Sequence, residues 1–128
     1  MARLLLCFRL ALLGAALFTF AMAVAPPGAG PELLPWDKAQ HFLAFYVLAV
    51  LGAAAFPRQA ILIPALALVA FGGLIELVQA LPFVGRDAEV GDWLADGVGV
   101  LFALAPLGLA RWRAQVRAER DQKSLSIS

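Results

Sequence analysis

Three short segments gather the side chains best suited to chemistry. The first is Asp37-Lys38-Ala39-Gln40-His41-Phe42-Leu43-Ala44-Phe45. The second is Gly72-Gly73-Leu74-Ile75-Glu76-Leu77-Val78-Gln79. The third runs from Arg86 through Asp87, Glu89 and Asp92 to Asp96, Gly97 and Gly99. Helical spacing puts Asp37, His41 and Phe45 on one face, and Glu76 and Gln79 on another. The binding candidates are Asp37, Lys38, His41, Glu76, Gln79, Arg86, Asp92 and Asp96, and none is assigned a catalytic role. Several chemistries suit them. Burial would raise the pKa of Glu76 and fit it for acid or base work. Lys38 and Arg86 offer positive charge to a phosphate or carboxylate of a lipid or envelope precursor. A carboxylate–histidine–carboxylate group can bind a metal, but one His and no Cys in the layer is a thin ligand set, so neither metal nor cofactor is expected. The competing role is structural: polar residues between membrane helices serve as interhelical glue.

These residues need a frame, and composition defines it. Apolar residues make up 62% of the 128-residue chain and charged residues 15%. Soluble domains run near about 45–50% and about 25%. A water-soluble core of this length cannot bury so much apolar surface, whereas a bilayer is itself the apolar solvent. Four apolar stretches predict an all-α, polytopic membrane bundle, with helices over 4–25, 37–56, 60–81 and 92–110 and a basic tail over 111–128. A spanning helix needs roughly 20 apolar residues. The second stretch reaches that length only if Asp37 to Gln40 form its first turn, with Asp37 capping the helix. Asp92 caps or begins the fourth. Pro26, Pro27, Gly28, Gly30, Pro31 and Pro35 make the first linker irregular, Pro57 and Arg58 mark the second junction, and Pro82 and Gly85 the third. Gly72, Gly73, Gly97 and Gly99 suit close helix packing within one chain or between chains, so oligomeric state is left open.

The distribution of Lys and Arg sets an orientation. With the N-terminus inside and four alternating spans, the inner side holds Arg3, Arg9, Arg58, Arg111, Arg113, Arg117, Arg120 and Lys123, and the outer side only Lys38 and Arg86. Both termini are therefore expected in the cytoplasm. Glu32, Asp37, Glu76, Asp87, Glu89, Asp92 and Asp96 fall toward the outer side. At 1.5 Å per residue, His41, Glu76 and Asp96 all lie roughly 6–8 Å below the outer helix ends. Three separate segments thus put polar groups in one layer. Ionisable groups inside a span cost about 2.5–3.5 kcal/mol at the helix centre, which marks them as functional candidates.

Other features are plainer. The first stretch also fits a signal peptide with Ala21-Met22-Ala23 as its cleavage site; an uncleaved anchor in which Arg9 snorkels is preferred. Trp36, Trp93 and Trp112 read as an interfacial aromatic belt, and Phe42 and Phe45 as packing. The basic tail suits a helix that leaves the membrane and frays over Ser124 to Ser128, where its charges can meet anionic lipids. Cys7 is a small apolar residue with no disulfide partner. Neither a phosphate-binding glycine loop nor a nucleophile elbow nor a nucleic-acid motif is present, so nucleic acid is not an expected partner.

Taken together, Asp37-Lys38-x-x-His41-Phe42-x-x-Phe45, Gly73-x-x-Glu76-x-x-Gln79, and Arg86 followed by Asp92-x-x-x-Asp96-x-x-Gly99 resemble the VanZ-like family of small bacterial integral membrane proteins. The likeness covers roughly residues 35 to 110. It departs at Asp96, where many relatives have Asn, which bears on any role requiring a neutral amide there. The resemblance implies a multi-pass protein of the bacterial cytoplasmic membrane. The founding member of the family is associated with low-level resistance to the glycopeptide teicoplanin. By that likeness this chain would act at the cell envelope, with membrane lipids, a cell-wall precursor or a partner membrane protein at its outer face. The alternatives are a membrane-embedded enzyme on a lipid-linked substrate and a purely structural polar network.

Overall fold

The computed structural model describes residues 1–26 and 36–127. The proline- and glycine-containing linker over 27–35, and Glu32 with it, lies outside the described residues. The described chain is all-helical: α1 spans Ala2–Val24, α2 Asp37–Ala55, α3 Leu62–Gln79 and α4 Val90–Ile127. All four are long and apolar enough to cross a membrane. Large side chains such as Leu4, Leu13, Leu66, Leu77, Leu101 and Phe102 project outward on every helix but α2, where Leu43 and Val50 do so. Such outward apolar surface is what lipid contact requires and what water penalises.

The helices alternate in direction. α2 and α4 both begin at one end of the bundle, where α1 and α3 finish, as bonds from Lys38 to Asp92 and from Gln79 to Ala23 show. α2 is the centre, packing against each of the other three, and its most extensive partner is α4. The α2–α4 pair is parallel, and Gly99 sets how closely the two approach. A methyl built at Gly99 would run into the carbonyl oxygen of Phe42 and lie 3.1 Å from the Tyr46 nitrogen. Only glycine permits that backbone contact. The core is a thin apolar seam of Ala23, Phe45, Ala49, Ile75, Val100 and Leu104. Phe45 is wholly buried, with its ring centroid 5.9 Å from that of Phe71, while Phe42 packs against Tyr46 and Phe102. The expectation that Phe42 and Phe45 are packing residues holds.

Three local expectations change. Asp37 does not cap α2: Trp36 occupies the cap position and its carbonyl accepts from the amides of Ala39 and Gln40, with Asp37 in the first turn. There its carboxylate still meets the positive end of the helix dipole. Gly97 meets no neighbouring atom, so of the two late glycines only Gly99 serves close packing. The tail is a continuation of α4 as expected, but the helix runs through Ile127 instead of fraying from Ser124. At 1.5 Å per residue α4 is about 57 Å long, nearly twice the thickness of a bilayer's hydrocarbon. From Arg111 onward it is rich in Ala, Arg, Gln, Glu and Lys, which are strong helix formers, with neither Gly nor Pro to stop it.

A charged layer as candidate functional site

The end of the bundle where α2 and α4 begin brings the three segments together. Lys38 is its hub: its ammonium lies 2.6 Å from Glu89 Oε2 and 3.1 Å from Asp92 Oδ1. It reaches them by crossing Gly91, where an added methyl would come within 2.9 Å of the Lys38 stem. Asp92 is buried, at 4% exposure, in the first turn of α4. Glu89 sits just before that helix, and the Lys38 ammonium bonded to it holds its carboxyl below the usual value.

One turn deeper, Nδ1 of His41 lies 3.0 Å from Oδ1 of Asp96. At that distance the imidazole N–H donates to the carboxylate, which leaves Nε2 facing Asp92 Oδ2 at 4.0 Å. Asp96 is fully buried, and its other oxygen, Oδ2, has no hydrogen-bond partner among the described residues. Gly72 makes room for it, since a methyl there would approach Oδ2 to 2.6 Å. The layer is therefore built on glycines: Gly72 under Asp96, Gly91 under Lys38, and Gly99 holding α2 to α4.

Glu76 reaches the layer from α3. Its Oε2 accepts from the backbone N–H of Glu89 at 2.8 Å, while Oε1 is buried without a partner. The even depth expected for His41, Glu76 and Asp96 is not kept. Glu76 lies three residues from the end of α3 and Asp96 six from the start of α4, about 4.5 Å and about 9 Å along the helices.

Gln79 and Arg86 have a different task from the rest. Gln79 Nε2 donates to the Ala23 carbonyl at 2.9 Å, and Arg86 donates from Nε to Ala23 at 3.2 Å and from Nη2 to Met22 at 3.4 Å. These are end carbonyls of α1 that its own helix leaves without partners. Arg86 is thus directed at α1, and Lys38 at two carboxylates. Neither cation is held toward an open face as an anion clamp. Gln79 keeps one buried oxygen, Oε1, without a partner.

All eight candidates sit at this end, in two groups. Asp37, Lys38, His41, Glu76, Asp92 and Asp96 form one group, and Gln79 and Arg86 tie α1 to it. Sequence reasoning left Glu89 out of the candidate set, although it bonds Lys38 and positions Glu76. The available signal was its place three residues before Asp92, on the same approach to α4. Trp93 also does more than line an interface, since its indole N–H donates to the Val69 carbonyl at 2.9 Å, alongside Gly73. No family model, curated protein or solved structure matches the chain.

Proposed function

We propose that this chain is a VanZ-like, multi-pass protein of the bacterial cytoplasmic membrane, with both termini inside, that acts at the cell envelope by binding a ligand without catalysis. The charged layer is its outer-face binding surface. The bias of Lys and Arg toward the other end supports that orientation, and the ordered motifs support the family. The observation that carries the binding reading is surplus acceptor capacity. Asp96 Oδ2, Glu76 Oε1 and Gln79 Oε1 are buried oxygens with no hydrogen-bond partner among the described residues. A group that only pins helices together has no use for them, and each costs about 1–3 kcal/mol if left unmet. Acceptors call for a donor. The ligand chemistry that fits is therefore an amine-bearing lipid head group or cell-wall precursor, or a basic segment of a partner membrane protein, in place of an anion gripped by Lys38 and Arg86.

The rival reading is a network that holds the helices and nothing else, favoured by the engagement of Lys38 and Arg86 within the chain. Native mass spectrometry of the purified protein separates the two. The protein is released from micelles holding phosphatidylethanolamine, phosphatidylglycerol or a lipid-linked peptidoglycan precursor. The binding reading predicts preferential retention of an amine-bearing species, weakened by Asp96→Asn and Glu76→Gln. Equal retention of all three lipids by wild type and variants would leave the network reading standing.

A further inference from the structure

Asp37, His41 and Asp92 place one ligand-capable atom each within 4.8 Å of one another. Three acidic or imidazole groups at a helix start are common without an ion, so proximity alone carries little. The second observation is what lies behind His41. Its Nδ1 is held by Asp96, a carboxylate with no exposed surface whose remaining oxygen has no partner. That bond fixes the orientation of the ring and puts Nε2 on the side of Asp92 Oδ2, 4.0 Å away. Histidines that ligate metals are held in this way, with the far ring N–H donating to a carboxylate. Lys38 adds to the arrangement by occupying Asp92 Oδ1, which leaves Oδ2 turned to the imidazole.

We infer that Asp37, His41 Nε2 and Asp92 Oδ2 form a binding site for a first-row divalent transition-metal ion, with Asp96 as the positioning residue behind His41. One nitrogen and two carboxylate oxygens suit Zn²⁺, Mn²⁺ or Co²⁺ better than the all-oxygen preference of Ca²⁺ or Mg²⁺. Metal–ligand distances of about 2.0–2.2 Å bring tetrahedral ligand atoms to about 3.3 Å apart, so binding contracts the group by about 1 Å. Asp37, exposed in the first turn of α2, supplies most of the movement, and the His41–Asp92 pair, 4.0 Å apart, closes by the remaining roughly 0.7 Å. Three protein ligands leave a coordination position open to water or to a ligand donor atom. The inference goes beyond the amine-binding reading and does not depend on it.

The test is titration of the full chain, purified with any affinity tag removed, with Co²⁺ and Zn²⁺ alone. The readouts are the d–d absorption of bound Co²⁺, its displacement by Zn²⁺, and isothermal calorimetry. One equivalent should bind, with a tetrahedral Co²⁺ spectrum and little competition from Ca²⁺ or Mg²⁺. Asp37→Asn changes an exposed residue and should weaken binding at least tenfold, with no more than the small drop in unfolding temperature expected from losing one helix-dipole contact. Asp96→Asn should weaken it about 10–100-fold, the usual cost of losing the carboxylate behind a ligating His. Asp87→Asn, outside the group, should bind as wild type. Absence of stoichiometric Co²⁺ or Zn²⁺ binding overturns the site, and so does unchanged affinity in Asp37→Asn. Amine-lipid retention that fails while Co²⁺ binds would dismiss the ligand reading and leave this one intact.

Discussion

The two ends of the bundle handle charge in opposite ways. At the end where α2 gives way to α3, arginines meet backbone. Arg9 Nε donates to the Ala55 carbonyl at 3.4 Å, and its guanidinium lies 5.1 Å from the centre of the Phe56 ring. Arg111 donates to the Gln59 carbonyl at 2.8 Å and the Pro57 carbonyl at 2.9 Å. Helix ends and tight turns leave carbonyls without partners, and cations there also match the helix dipole. That end is accounted for by closing a turn. At the opposite end Gln79 and Arg86 do the same for α1. Yet Lys38, His41, Glu89, Asp92 and Asp96 engage one another as side chains, Glu76 joins them through the Glu89 amide, and among the described residues Glu76 and Asp96 retain unused acceptors. The contrast separates groups whose bonds are all used in closing helix ends from groups that keep unmet acceptors, and among the described residues those acceptors lie at one end.

Mutations at each end can break that contrast. The largest effect is expected from Asp96→Ala, which leaves His41 partly buried without its partner. Losing a buried hydrogen bond to a carboxylate, with its imidazole partner left unmet, costs about 3 kcal/mol, read as a lowered unfolding temperature in detergent by tryptophan fluorescence. Gly99→Ala comes next, because the obstruction is the Phe42 backbone and cannot swing aside. It should cost about 1–3 kcal/mol by overpacking. Gly72→Ala should cost somewhat less in stability, since a side chain can give way, but should displace Asp96 and weaken ligand retention. Arg9→Gln should lower stability by about 1 kcal/mol, the loss of one part-buried hydrogen bond, with ligand retention unchanged. A loop-end variant that abolished retention would remove the distinction between the ends.

The smallest effect concerns pH. Glu89 is held below its ordinary value of 4.5 by the Lys38 ammonium. A carboxyl whose folded pKa is depressed contributes stability above its unfolded pKa, and that contribution is lost as pH falls through the folded value. Acidification below 4.5 should therefore lower the unfolding temperature of wild type slightly more than that of Glu89→Gln, with the two profiles parallel above it.

Much of this was readable in the residues. Long apolar runs, broken only by single polar residues or a polar first turn, locate the helices, with the length and internal hydrogen bonding that a bilayer would demand. Helical spacing put Asp37 beside His41, and the order of the spans put His41, Glu76 and Asp96 toward one end of the bundle, although counting 1.5 Å per residue missed their different depths. What escaped depends on backbone partners and on space. Arg86 carries the same charge whether it faces a phosphate or the Ala23 carbonyl, and its choice is made by where α1 ends. Gly97 and Gly99 look alike in a string, but only one faces α2. Asp37 is a good capping residue by type, yet Trp36 already holds the cap position through its main chain. Glu89 lies outside any apolar run, so no burial argument singled it out.

The central claim is that the charged layer binds a ligand and the opposite end does not. The measurement that tests it most directly is native mass spectrometry of wild type, Asp96→Asn and the Arg9→Gln/Arg111→Gln double variant, each released from the same mixture of amine-bearing and amine-free lipids. The account predicts selective retention of an amine-bearing species by wild type and by the double arginine variant, and its loss from Asp96→Asn. Selective retention by all three, or by none, would contradict it.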